Sequence, residues 1–149
     1  MKFEKNPLVS IIMPVFNGSL YLEDVIKSIL NQTYRNLELL ILDDCSVDQS
    51  IKIIEQFDDD RIKLFKNRTN QGYVKGLNFL ISKCKGKLVA RNDQDDISLP
   101  LRIEKQVKTF LSLPSLAVLG GQIKTFGLNS KRISYPTSKE DIKAFMLFN

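Results

Sequence analysis

The segment LVSIIMPVFNGSLYLEDVIKSIL, residues 8–30, decides the fold class of this chain. Its first six residues are almost all apolar and stop at Pro14, which is typical of a strand buried on both faces of a sheet. After a turn at Asn17 and Gly18, Ser19 is the predicted N-cap of a helix. The apolar residues of that helix recur with helical spacing at Leu22, Val25, Ile26, Ile29 and Leu30. The segment therefore predicts a central parallel strand followed by an amphipathic helix.

The same alternation continues along the rest of the chain. Strands are predicted at residues 37–42, 62–65, 87–90 and 116–119, with a helix after each of the first three. Ser46 and Gln49 have the spacing of a capping box for the second helix, and Gly72 marks the start of the third. With right-handed crossovers, this order gives a mostly parallel sheet with helices on both faces, a three-layer α/β/α fold. The length of 149 residues predicts a single domain over residues 1–149.

The composition narrows the classes of function. The net charge is +5, and the basic residues are scattered along the sequence. Such a charge is compatible with binding to an anionic small molecule, a membrane surface or nucleic acid. No nucleic-acid-binding motif accompanies it, so we expect no nucleic acid partner. Histidine is absent, so a bound metal ion would be held by oxygen ligands or, less plausibly, by Cys45 and Cys84. The sequence has neither an apolar run of about 18 residues nor a signal-peptide core, which predicts a cytoplasmic protein.

Polar clusters follow three of the predicted strands. They are the turn at Asn17, the pair Asp43 and Asp44, and the acidic stretch Asp93-Gln94-Asp95-Asp96. Because ligands bind outside the carboxyl ends of parallel strands, the three clusters should meet at one edge of the sheet. Adjacent carboxylates repel one another, and Mg²⁺ or Mn²⁺ would neutralise them. Taken alone, the acidic stretch is equally compatible with a solvated loop, and Asp43-Asp44 with a capped turn.

The segments VSIIMPVFNGSLYLEDVIKSILNQTYRNLELLILDDCSVDQS (residues 9–50) and NRTNQGYVKGLNFLISKCKGKLVARNDQDDISLPLRIEKQVKTFL (residues 67–111) resemble the family 2 glycosyltransferases, which have the Rossmann-like GT-A fold. Several motifs occur in the order and spacing of that family. The resemblance implies a nucleotide-sugar donor, most often UDP-linked, and inverting transfer of the sugar to an acceptor hydroxyl. The usual setting of the family is the synthesis of cell-surface polysaccharide or lipopolysaccharide.

The resemblance also implies roles for individual residues. Asp93-Gln94-Asp95 would be the DxD motif of the family, with Asp95 and Asp93 as ligands of Mn²⁺ or Mg²⁺ and Asp96 as a supporting neighbour. One of Asp43 or Asp44 would contact the nucleotide base, and Asp93 is also a candidate for the ribose. The expected donor-binding residues are Pro14, Val15, Asn17, Asp43, Asp44, Gly72 and Asp93.

In family 2 glycosyltransferases the general base lies downstream of the donor-binding half. The resemblance therefore places this base beyond Asn149, and neither Glu140 nor Asp141 is assigned to the role. We expect this chain to bind donor and metal but to transfer sugar to a saccharide or lipid-linked acceptor poorly or not at all. The apolar residues at 142–148 predict a contact with further chain or with a second copy, and the +5 charge suits a peripheral contact with the inner face of the membrane.

Two other classes of function stay open: a nucleotidyltransferase, which also joins a nucleotide to a carboxylate-held metal, and a non-catalytic module that binds nucleotide-sugar. A Rossmann dehydrogenase is excluded because Pro14-Val15-Phe16-Asn17-Gly18 stands where G-x-G-x-x-G is required. A P-loop NTPase is excluded because the chain has no G-K-[ST] sequence.

Overall fold

The structure is a computed structural model and describes residues 5–126, 131–135 and 137–138. The chain divides into two compact units, Met1–Ser115 and Leu116–Asn149. A single domain over residues 1–149 stays a prediction. Glu140, Asp141 and the apolar residues at 142–148 lie outside the described residues.

The first unit alternates strands and helices in the predicted order. Its elements are β1 Val9–Val15, α1 Leu22–Leu30, β2 Leu37–Asp43, α2 Ser50–Glu55, β3 Ile62–Lys66, α3 Tyr73–Lys83, β4 Leu88–Arg91 and α4 Arg102–Ser112. The strands form one sheet in the order β3-β2-β1-β4, and every neighbouring pair is parallel. The predicted parallel sheet is confirmed.

Both faces of the sheet are covered by helices. Successive residues of a strand point to opposite faces. Ile11 and Met13 of β1 belong to a core that includes residues of α1, α2 and α4, whereas Ile12 packs in a second core with Leu80 of α3. All seven residues of β1 and all seven of β2 are buried, which explains their almost unbroken apolar runs. This arrangement is the predicted three-layer α/β/α fold.

Strand β1 continues through Pro14 to Val15, so the prediction that it stops at Pro14 is wrong. The Ile12 carbonyl accepts a hydrogen bond from Asn92 N, on the β4 side of the strand. Pro14 has the same orientation as Ile12, but the pairing with β4 ends at Ile12 and Arg91. The N–H that proline lacks would therefore have met no β4 partner, and the strand tolerates proline at this position.

The predicted caps of α1 and α2 are also wrong. Helix α1 begins after Tyr21 and α2 after Gln49, and neither N-cap residue makes a side-chain capping hydrogen bond. Ser46 Oγ accepts instead from Asn17 N, at 2.9 Å, and so ties the loop after β1 to the loop after β2. Contacts between loops thus displaced the local capping that the sequence favours.

The described residues of the second unit contain a two-stranded antiparallel sheet, β5 Ile123–Lys124 and β6 Arg132–Ile133. The predicted strand at 116–119 is wrong, since the structure assigns no strand there and Val118 is 83% exposed. An apolar run becomes a strand only where a neighbour supplies backbone hydrogen bonds. Neither β5 nor β6 pairs with residues 116–119.

Candidate functional site

A cleft of about 350 Å³ lies at the carboxyl ends of the parallel strands. It is lined by Pro14, Val15, Phe16, Asp44, Asn70, Gly72, Tyr73, Asp93, Gln94 and Asp95. The end of β1 and the loops after β2, β3 and β4 therefore contribute to one surface, as expected for a ligand site in a parallel sheet.

Most of the predicted site residues meet in this cleft. Those that line it are Pro14, Val15, Asp44, Gly72, Asp93 and Asp95. Asn17 and Asp43 are not among its lining residues. Asn17 has a left-handed backbone with φ of 51°, and its Oδ1 accepts from Val47 N at 2.9 Å. Asp43 is 1% exposed, and its Oδ2 accepts from Ser46 N at 3.1 Å.

Asn17 thus ties the loop after β1 to the loop after β2, whereas Asp43 closes the turn at the start of the second loop. Within the described part of the chain, Asp43 Oδ1 has no hydrogen-bond partner. A contact of either residue with a donor stays a prediction.

Asp44 organises the loop that leads into α3. Its Oδ1 accepts from Asn67 Nδ2 at 2.7 Å and from Gln71 N at 2.9 Å, and its Oδ2 accepts from Gly72 N at 2.8 Å. Burial opposes the charge of Asp44, but these three hydrogen bonds lower the pKa of the carboxyl from its usual value. Gly72 has φ of 86°, a conformation that glycine adopts without strain.

A carboxylate offers about four lone-pair positions to donors. The three hydrogen bonds to Asp44 within the described residues use two on Oδ1 and one on Oδ2. By this count, one acceptor position on Oδ2 is used by none of the described residues, and Asp44 is among the residues that line the cleft.

Asp93 is held by two side chains that the sequence interpretation did not identify. Arg91 contacts its carboxylate through Nε at 3.0 Å and Nη2 at 2.5 Å, and Tyr73 donates its hydroxyl at 2.7 Å. The hydrogen bonds from Arg91 lower the pKa of Asp93. Burial opposes this shift, and the hydrogen bond from Tyr73 adds to it. Burial and the hydrogen bond to Asp93 raise the pKa of Tyr73 to about 12. The Arg91 guanidinium also lies 5.3 Å from the centre of the Tyr73 ring.

Asp95 and Asp96 are exposed, and the negative charges of their carboxylates are less well balanced by neighbouring groups than that of Asp93. No hydrogen bond or ion pair to the Asp95 carboxylate is found among the described residues. Partial burial and repulsion from Asp93 and Asp95 raise the pKa of Asp96. The acidic loop therefore has an excess of negative charge at the cleft, and a cation would relieve it.

A buried polar group fixes the base of the acidic loop. Asn92 is 2% exposed and donates through Nδ2 to the carbonyls of Asp93 and Asp96. Its Oδ1 accepts from Ser98 Oγ at 2.7 Å and from Arg102 Nη1 at 2.6 Å. Sequence reasoning missed Asn92 and Arg102, although a polar residue directly after a predicted strand was a usable signal for Asn92.

The residues of the cleft fit a hard divalent cation. Their side-chain donors are oxygens, which Mg²⁺ and Mn²⁺ prefer. Among the described residues, no group of three or more His, Cys, Asp or Glu side chains is placed to enclose a metal ion. Mg²⁺ is commonly bound by one or two carboxylates together with substrate phosphates, a mode that Asp95 with Asp93 beside it can provide.

Comparison with known proteins shows the family of this chain. The sequence model of glycosyl transferase family 2 matches residues 10–146. The chain is 36% identical over 136 residues to the O-antigen biosynthesis glycosyltransferase WbnJ of Escherichia coli, covering 87% of this chain and 52% of WbnJ. It is 38% identical over 104 residues to the Escherichia coli UDP-Glc:alpha-D-GlcNAc-diphosphoundecaprenol beta-1,3-glucosyltransferase WfgD, covering 70% of this chain and 41% of WfgD. The chain belongs to glycosyl transferase family 2.

Similarity to a solved structure supports the fold assignment. The crystal structure of S. aureus TarS 1-349 in complex with UDP matches with a TM-score of 0.65 and 25% sequence identity, over 68% of this chain and 31% of that one. The predictions of the family and of the GT-A fold are confirmed. The chain spans about half or less of the length of each of these three proteins.

Proposed function

We propose that this chain is the donor-binding part of a glycosyltransferase that takes its sugar from a nucleoside diphosphate. The observation that supports this most strongly is the composition of the cleft. It combines Asp44, which has one acceptor position left, with Asp95, whose carboxylate is exposed in the same cavity. A nucleotide-sugar presents complementary groups, namely a base with an N–H donor at one end and a charged diphosphate at the other.

Asp44 is suited to the base. A single open acceptor position matches the single imide N–H of uracil, and it leaves no second position for a pair of ribose hydroxyls. Phe16 is 45% exposed at the cleft and offers an apolar surface to a planar ring. This division of roles assigns the base contact to Asp44, because Asp43 is buried outside the lining of the cleft.

Asp95 is suited to the diphosphate end. With Asp93 beside it, Asp95 would hold Mn²⁺ or Mg²⁺, which supplies charge stabilisation for the departing nucleotide. Arg91 and Tyr73 keep the Asp93 carboxylate ionised and fixed, so Asp93 is a second ligand or a partner for the ribose. We place Pro14, Val15 and Gly72 at the walls of the donor site, and Asn17 behind it as a support for the loop.

UDP-linked sugar is the donor we favour, because the name of WfgD specifies UDP-Glc and TarS was crystallised with UDP. We propose inverting transfer to a saccharide or lipid-linked acceptor in cell-surface polysaccharide synthesis, a setting that agrees with the names of WbnJ and WfgD. The general base for that transfer is expected beyond Asn149, so residues 1–149 alone bind donor and transfer poorly.

We place this activity at the inner face of the membrane, where a net charge of +5 favours contact with anionic lipid. In the part of the chain that the structure describes, no helix is both long enough and apolar enough to span a bilayer.

Titration calorimetry with UDP, GDP and their sugars, each with and without Mn²⁺, tests this function. We expect UDP to bind and Mn²⁺ to tighten the binding, because Asp95 would hold the metal ion and the ion would offset the negative charge of the diphosphate. Asp95→Ala should lose the effect of Mn²⁺, and Asp58→Ala is its matched control, since it removes an exposed carboxylate outside the cleft. Absence of binding by every nucleotide tested would refute the proposal, whereas binding without any transfer by a longer chain would favour a non-catalytic module.

A further inference from the structure

The side chain of Gln94 makes a paired contact with the backbone of Phe16. Its Oε1 accepts from Phe16 N at 2.8 Å, and its Nε2 donates to the Phe16 carbonyl at 3.2 Å. Backbone pairing between β1 and β4 has already ended at Ile12 and Arg91. The amide of Gln94 thus occupies the place of a peptide group from a neighbouring strand. Its side chain continues the hydrogen bonding along β1 beyond the end of β4.

Gly18 provides the room for this contact. A Cβ added at Gly18 would lie 2.6 Å from Gln94 Oε1 and 2.8 Å from Gln94 Cδ. Gly18 is not among the glycines with positive φ, so its backbone would accept alanine. The space occupied by Gln94 is therefore the steric reason for glycine at this position.

Gln94 also lies between Asp93 and Asp95, whose carboxylates are restrained to different degrees. Asp93 is fixed by Arg91 and Tyr73, whereas no side chain within the described ranges holds the Asp95 carboxylate. The position of Asp95 in the cleft then depends on the backbone of its neighbour, which the Gln94 amide ties to Phe16.

We propose that Gln94 is a positioning residue of the donor cleft: its paired hydrogen bonds to Phe16 set the distance between the carboxylate of Asp95 and the base-binding wall at Asp44. This inference rests on the proposed function, because the consequence of the contact is the joint binding of a divalent cation and a nucleotide. Loss of the contact uncouples the acidic loop from Phe16, while the acidic loop and the loop after β1 each stay folded.

Two independent substitutions break the same contact. Gln94→Ala removes the amide, and Gly18→Ala pushes it away without changing a lining residue of the cleft. In each variant we expect UDP affinity in the presence of Mn²⁺ to fall about tenfold, and metal-free UDP affinity to change less than about twofold. In the double variant, Gly18→Ala adds no further loss, because the atoms it would strike are gone.

Gly121→Ala is the matched control, since a Cβ there meets nothing within 4 Å. The readouts are calorimetric UDP affinity with and without Mn²⁺, and hydrogen exchange of the Phe16 amide in the ligand-free protein. Faster exchange of Phe16 N–H together with a reduced Mn²⁺ effect supports the role of Gln94.

The possible failures are distinguishable. If wild-type protein binds UDP with Mn²⁺ and both variants keep the full Mn²⁺ effect, the role of Gln94 is overturned and the proposed function stands. Equal losses with and without Mn²⁺, or additive effects in the double variant, overturn it as well. If the wild-type protein binds none of the nucleotides tested, the proposed function fails and this role fails with it, whatever the exchange of Phe16 N–H.

Discussion

Replacement of Asp44 by asparagine will test whether this carboxylate holds the loop that leads into α3. Asp44 is 4% exposed, and its carboxylate accepts from Asn67, Gln71 and Gly72. The remaining oxygen of asparagine can keep the contacts with Asn67 and Gln71. Its NH₂ group then faces Gly72 N–H, so one acceptor is replaced by a second donor.

The expected cost follows from that count of hydrogen bonds. A hydrogen bond to a charged acceptor contributes about 1.5–3 kcal/mol, so we expect Asp44→Asn to lower the free energy of unfolding by about 2 kcal/mol. Asp44→Ala removes all three acceptor contacts. Because Gln71 is exposed and Asn67 is only partly buried, water replaces part of what is lost and the cost is about 3–4 kcal/mol.

Urea unfolding followed by circular dichroism measures both variants, with Asp58→Asn as the control for loss of an exposed charge. The folded pKa of Asp44 is lowered, so its contribution is present above the unfolded pKa of about 4 and is lost as pH falls through the folded pKa. The difference between wild type and Asp44→Asn should therefore shrink in acid. A midpoint for Asp44→Asn equal to that of wild type at pH 7 would refute this role of the carboxylate.

Three further changes have defined outcomes. Asp95→Ala should abolish the Mn²⁺ dependence of UDP affinity in calorimetry while leaving metal-free affinity intact; an undiminished dependence would place the ion elsewhere. Tyr73→Phe removes one hydrogen bond to Asp93, so the pKa of Asp93 should rise in an NMR titration and stability should fall by about 1 kcal/mol; an unchanged pKa would contradict the contact. Burial opposes the charge of Asp48, but the hydrogen bonds that its carboxylate accepts from Ser19 N and Ser50 N outweigh burial and lower the pKa of Asp48 to about 2. Its contribution, about 1–2 kcal/mol after solvent screening, should therefore be lost between about pH 4 and pH 2. Asp48→Asn should flatten urea midpoints over that range, and a wild-type slope in the variant would count against it.

The sequence was sufficient to predict the layered fold because the signals for it are local. The apolar runs of β1 and β2 reflect burial on both faces, and the helical spacing in α1 places Val25 and Ile29 in the core. The errors arose where distant contacts override local preference. Pro14 remains in a strand because β4 has ended, and Ser46 binds Asn17 instead of capping α2.

The site was predictable only in part, for the same physical reason. Asp44 and Asp95 were placed at the site because polar clusters that follow the strands of a parallel sheet meet at one edge. The partners of these residues gave no comparable signal. Tyr73 lies 20 positions from Asp93, and Gln94 lies 78 positions from Phe16, so each contact exists only once the sheet has formed.

The most direct test of the donor site is a crystal structure of this chain grown with UDP and MnCl₂. We predict an anomalous manganese peak beside the carboxylate of Asp95, with the uracil N3–H within hydrogen-bond distance of Asp44. A nucleotide bound outside the cleft, or manganese bound away from Asp95, would contradict the proposed function.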